Sequence, residues 1–251
     1  MKIMKRIKRA MKYGCMTRGF SFWMPVPIVA ALLFASCSGR ITGAVQTNEE
    51  GHFIIEAELA PASARLLAPM SPATASGQSA PVLDAGVIAL SLRDAPGIAA
   101  AQLRNTSPGN IAGSIGFTKI SDFLTAGDFR FITWELERAV IAIDRSHGPQ
   151  MVTMLSRDVS DYLSAIMAPI ATGEPLTKAE YLRLVTSVYG AAIAREIENA
   201  EVTATINFPG TITLVQGGTY SGSTARFQAK LVDLLVLEQP LRYEVRWTLF
   251  R

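Results

Sequence analysis

Apolar and polar residues alternate most cleanly near the end of the chain. In LRYEVRWTLF, Leu241, Tyr243, Val245, Trp247 and Leu249 share one face, while Arg242, Glu244, Arg246 and Thr248 share the other. A two-residue period of this kind predicts a strand with one buried face. FIIEAEL repeats the pattern, with Phe53, Ile55, Ala57 and Leu59 on its apolar side. The turn-forming TNEEGH precedes it, so 41–59 reads as a hairpin. VTATINF places Val202, Ala204, Ile206 and Phe208 together, and Pro209-Gly210 ends it. TITLV and ARFQAKL follow as strands on either side of the turn-rich QGGTYSGS.

The middle of the chain changes period. Val152, Leu155, Val159, Tyr162, Leu163, Ile166 and Ile170 recur at three- and four-residue spacing, which predicts a helix over about 149–169 with Pro169 at its end. Thr177 and Glu180 form a capping box that opens a second helix over about 178–199. Its apolar stripe is Tyr181, Val185, Val188, Tyr189, Ala192 and Ile193, with Lys178, Arg183, Arg195 and Glu196 facing water. Between the first hairpin and these helices, residues 60–83 are rich in Ala, Pro and Ser and read as a loop, with room for a short helix around Ala64 to Leu67. Asp84 is an N-cap for another short helix. IAAAQLR reads as a strand or, being rich in alanine, equally as a helix; IAGSIGFT reads as a strand after the turn at Pro108-Gly109, and FRFITWELERAVIAID as a long bent strand or a second hairpin. Strands, then a helix pair, then strands predict an α+β fold, with antiparallel sheet covered on one face by the two central helices.

The first 36 residues stand apart from this body. They hold seven Lys and Arg and no acidic residue. The apolar run MPVPIVAALLFA is twelve residues long, short of the roughly 20 that span a bilayer. A basic start, a short apolar run and small residues together describe a secretory signal. Leu33, Phe34, Ala35, Ser36 and Cys37 resemble the bacterial lipobox, although Phe34 stands where leucine is usual. That resemblance implies cleavage before Cys37 and a covalent diacylglycerol and acyl chain on its thiol. Two chains give stable attachment where one is marginal. The expected division is a signal peptide over 1–36 and an extracytoplasmic domain over 37–251. Cys15 leaves with the leader, so no disulfide forms in the body.

Charge separates the leader from the body. The whole chain carries a formal charge of +3, but losing the seven leader cations leaves 17 basic and 21 acidic residues, a net charge of −4. A mildly acidic body has no general attraction for nucleic acid. With 49% apolar and 18% charged residues over its whole length, the chain has ample material for a packed core.

Catalytic patterns are sparse. His52 and His147 fall on separate turns with no third ligand near in sequence. GNIAGSIG puts Ser114 at the wrong glycine spacing for a nucleophile elbow, and no phosphate-cradling glycine loop occurs. Asp158 and Asp161 read as a solvated helix face. The expectation is therefore a non-enzymatic protein with no cofactor and no metal. Arg242 and Arg246 share a strand face; with Arg226 and Lys230 on a neighbouring strand they form a basic stripe for a lipid headgroup or an anionic partner, or else take part in ordinary cross-strand pairing. The aromatic stripe Tyr243, Trp247, Phe227 and Phe208 reads as core first and ligand pocket second.

INFPGTITLVQGGTYSGSTARFQAKLVDLLVLEQPLRYEVRW resembles the tail of LppM-type bacterial lipoprotein domains. The matching residues are Phe208, Pro209, Gly210, Gly217, Gly218 and Gly222. DYLSAIMAPIATGE, with EYLRLV and VYG, is similar to uncharacterised spirochaete-type lipoproteins. The resemblance covers about the C-terminal hundred residues. It implies an anchored envelope domain linked to lipid or glycolipid handling, sometimes with a C-terminal membrane helix; no such hydrophobic tail stands before Arg251. The functions expected are a binding or scaffolding module attached to a membrane through Cys37, with room for a lipid or glycolipid ligand between sheet and helices, or else a surface protein that meets a host or envelope protein partner through the 60–83 loop and exposed hairpins. A hydrolase with an unfamiliar site is the weakest alternative.

Overall fold

The computed structural model describes residues 38–67, 81, 84–153, 163–164 and 166–249. The chain opens with the hairpin β1 (Ser38–Val45) and β2 (Gly51–Glu58). Helices α1 (Pro61–Leu67) and α2 (Ala85–Arg93) follow, then strands β3 (Ile98–Ser107) and β4 (Asn110–Phe117). Helix α3 (Ile120–Ala126) leads to the hairpin β5 (Ile132–Glu135) and β6 (Arg138–Ile143). The helical middle holds α4 (Gly148–Thr153), α5 (Pro169–Thr172), α6 (Lys178–Tyr189) and α7 (Ala191–Asn199). Strands β7 (Glu201–Asn207), β8 (Gly210–Gln216), β9 (Gly218–Ser221) and β10 (Thr224–Lys230), helix α8 (Leu231–Val236) and β11 (Leu241–Leu249) complete it.

The strands form two sheets, as the α+β reading requires. One has the order β3-β4-β2-β1-β7-β10-β9 and the other β5-β6-β11-β8. The pairings are antiparallel except β1 with β7, which run parallel. Period-two patterning sets the faces: Phe53, Ile55 and Ala57 turn inward from β2 while His52, Ile54, Glu56 and Glu58 are exposed. Ser114, on β4 between Gln102 and Ile54, lies in mid-ladder.

The inner face of the large sheet is covered by two different things. Toward the Ala57 and Ile111 end, inward residues join Ile88 and Leu92 of α2, Tyr181 and Val185 of α6, and Ile193 and Ile197 of α7 in one apolar cluster. Over the rest lies the four-stranded sheet. The helices therefore share with a second sheet the face that the sequence assigns to them alone.

Helix boundaries show where local rules hold. Thr177 and Glu180 make the expected capping box, the Thr177 N–H donating to Glu180 Oε2 at 2.8 Å. The single helix expected over 178–199 is two helices, because Gly190 adopts φ +89° and ψ 163°, backbone that only glycine takes without strain. The break rotates the phase of the buried stripe. Beyond it Ala192 faces water, while Ala194 and Ile197 are buried; Val188, before the break, is 53% exposed. Pro169 starts α5 instead of ending a helix, since its missing N–H suits a first turn. Of the helix expected over 149–169, α4 supplies the beginning; Leu155, Asp158, Val159, Asp161 and Tyr162 lie outside the described residues, and Leu163 and Ile166 are fully buried.

The short helix expected inside 60–83 is α1. Glu196, expected to face water, holds its first turn. Its carboxylate accepts from the Ala62 N–H at 2.8 Å, the Ser63 N–H at 2.8 Å and the Ser63 hydroxyl at 3.0 Å. Residues 68–80, 82 and 83 lie outside the described residues.

Candidate functional site

Inward residues of the two sheets enclose an apolar cavity of about 320 Å³. Small side chains create it. Ala204 on β7, Ala229 on β10 and Ala139 on β6 leave space where large residues would meet across the layer. Gly43 on β1 serves differently: the Phe53 ring lies over it, and a β-carbon there would come within 2.5 Å of that ring. One end of the cavity is walled by a chain of rings in successive contact, edge-on except for the tilted Phe123–Phe129 pair. Phe53, Phe117, Phe123, Phe129 and Phe131 have centroids 5.1 to 5.8 Å apart. Ile55, Ile115 and Met151 are buried in its floor. Ile141 points into it yet is 36% exposed, and Ile41, Phe53, Phe227 and Tyr243 are part-exposed, so the space has a rim open to solvent.

The cavity carries no charge among its described lining residues. Polar side chains there are Tyr243 and Trp134; Gln228 contributes its backbone carbonyl, its side chain lying with Arg226 and Lys230 on the outer face of β10. The Gln228 amide donates to Glu201 Oε2 at 2.6 Å, and the Tyr243 hydroxyl donates to the Gln228 carbonyl at 3.3 Å. Burial raises the Tyr243 phenol above its ordinary value and the negative charge of Asp233 adds to this, so it stays neutral. Such a space favours hydrocarbon and offers little to a polar or ionic ligand.

The aromatic stripe divides in two. Phe227 and Tyr243 meet edge-on at 5.9 Å beside the cavity. Phe208 meets Trp247 at a tilt, 4.9 Å between centroids, and stacks on Trp134 at 6.3 Å, in a second apolar cluster with Ile212 and Val245. The Trp247 indole N–H is buried there without a hydrogen-bond partner among the described residues.

The four cations expected to form a basic stripe are not brought together. Arg226 and Lys230 lie on the outer face of β10 in the large sheet, and Arg242 and Arg246 on the outer face of β11 in the small one. Helix α8 is the reason: its buried Leu231, Val232, Leu234, Leu235 and Val236 carry the chain from one sheet to the other. Lys230 pairs across the strands with Glu201. Arg242 and Arg246 converge with Arg138 on Glu244, with Arg246 Nε at 2.8 Å and Arg138 Nε at 2.9 Å. Glu244 is only 4% exposed. Hydrogen bonds from Arg138, Arg246 and Arg242 hold its carboxylate at about 2, well below the usual carboxylate range. This is a structural charge knot on the outside of the small sheet, away from the cavity.

Cys37 lies outside the described residues; its neighbour Ser38 begins β1. His52 is exposed on the outer face of β2. His147 is no free turn residue: its Nδ1 accepts from the Asp144 N–H at 3.2 Å and its ring meets Phe131. Among the described residues no three His, Cys, Asp or Glu side chains gather as a metal site needs, and no helix is long and apolar enough to cross a membrane.

No family model and no curated protein matches the chain. Its fold is similar to the NMR structure of the folded domain of LppM from Mycobacterium tuberculosis, at a TM-score of 0.36 and 10% identity, covering 94% of this chain and 97% of that one. At that level of likeness it assigns no function to the chain.

Proposed function

We propose that this protein is a non-enzymatic bacterial envelope lipoprotein, held at a membrane by lipid on Cys37, whose body takes up the hydrocarbon part of a lipid or glycolipid. The observation that carries the reading is the uncharged cavity of about 320 Å³ between the sheets. Natural interiors pack to crystal-like density with few voids larger than water, so an apolar space of this size with an open rim is a binding feature rather than a packing accident. The leader supports the location: seven cations, a twelve-residue apolar run and small residues before Cys37 suit export and acylation.

Mass spectrometry of the protein purified from its native envelope tests both parts. The N-terminal peptide is expected to begin at Cys37 and carry diacylglycerol and a further acyl chain. Organic extraction of the folded body is expected to release lipid. An uncut leader with a free Cys37 thiol would remove the anchor, and a body that retains no hydrocarbon would remove the binding role.

A further inference from the structure

We infer that the cavity takes one unbranched hydrocarbon chain of about twelve to fifteen carbons at a time and reads no headgroup. This rests on the lipid-binding reading above and narrows it to single-chain amphiphiles. Two dimensions set the occupant. Inward residues from β4, β2, β1, β7 and β10 line the space, and at about 4.8 Å between strands the cavity runs about 19 Å across them. Spreading its volume over that length leaves a cross-section of about 17 Å². Packed carbon atoms sit about 4 Å apart, so one chain needs about 16 Å² and two need twice that.

Length follows by two routes. A zigzag of roughly 1.5 Å bonds advances about 1.3 Å per carbon, so about 19 Å holds about 15 carbons. Benzene occupies an engineered cavity of about 150 Å³, so by volume this space holds roughly a dozen. Headgroup indifference follows from the lining: the Tyr243 hydroxyl and the Gln228 carbonyl already bond each other, the Gln228 amide lies on the outer face of β10 with Glu201, and the nearest arginine cluster, at Glu244, faces the other side of its sheet. A diacyl lipid would leave its second chain in water, so it stays in its bilayer.

The test uses delipidated full-length protein, with Trp134 at the cavity wall as the fluorescent reporter. Saturated fatty acids, lysophosphatidylcholines and monoacylglycerols of eight to eighteen carbons are titrated below their aggregation concentrations, and diacyl phosphatidylcholine is offered as vesicles. Affinity should rise about fourfold per methylene, level off at twelve to fifteen carbons, and differ by less than about threefold among the three headgroups. Vesicles should lose no lipid to the protein. In Ala204→Leu the plateau should come about three carbons earlier. A headgroup preference above tenfold at fixed chain length, extraction of diacyl lipid, or an unchanged plateau in Ala204→Leu would overturn the inference while leaving the lipid-binding reading standing. If no chain of any length binds, both fall.

Discussion

Substituting Ala204 by leucine asks whether the space between the sheets is real. Ala204 is on β7, pairs with Ile41 and Phe227, and points into the cavity. Leucine adds three carbons. If they enter a void, burial contributes up to about 2.4 kcal/mol at about 0.8 kcal/mol per methylene. Ordering the leucine side chain costs about 0.5–1 kcal/mol, which leaves a net gain of about 1–2 kcal/mol. If the layer were packed solid, the same carbons would force strain costing about 1–3 kcal/mol. The two cases differ in sign. Urea unfolding of delipidated protein reads the difference: with a slope of about 3 kcal/mol/M, the midpoint rises about 0.3–0.7 M. Ala44→Leu, on the exposed outer face of β1, controls for strand propensity and should stay within about 0.5 kcal/mol. A midpoint that falls in Ala204→Leu with the control unmoved would refute the cavity.

Other consequences concern the scaffold. Glu196→Ala removes the acceptor for two backbone N–H groups and the buried Ser63 hydroxyl, and should cost about 2–3 kcal/mol in urea unfolding, with faster amide exchange at Ala62 and Ser63. Gly190→Ala places a side chain at φ +89° and should cost about 1–3 kcal/mol by the same measurement. Because Glu244 titrates at about 2 in the fold against an ordinary 4.5, its contribution is complete above pH 4.5 and is lost as pH falls toward 2. Melting temperatures of the wild type and Glu244→Gln should therefore differ above pH 4.5 and converge below it; a constant difference would show that Glu244 is not the titrating group.

Much of the fold was legible because it is local. The alternation in β2, β7 and β11 assigns their faces without any knowledge of partners, and Thr177, Glu180 and Asp84 mark helix starts through bonds within three residues. What was not legible depends on distant juxtaposition. Gly190 is one of many glycines, and only its positive φ splits the helix. Glu244 has the strand position of a solvent-facing residue, yet three arginines from two strands cover it with their stems. Arg226 and Arg242 are sixteen positions apart, close enough to suggest neighbouring strands, but α8 lies between them and changes sheets. The cavity was least legible of all. It is lined by a set of alanines that a pattern reading counts as ordinary core, Ala139 of one sheet and Ala204 and Ala229 of the other.

Where a bound hydrocarbon chain lies separates uptake between the sheets from adsorption on the surface. Protein with labelled Ile, Leu and Val methyl groups is mixed with a twelve-carbon fatty acid bearing a nitroxide near its methyl end, and line broadening is recorded by NMR. Broadening is expected at Ile41, Ile115, Ile141 and Ile206, which line the cavity, with unchanged lines at the exposed Ile54, Val87, Leu90 and Val188. Broadening confined to those exposed residues, with the cavity methyls unaffected, would contradict uptake between the sheets.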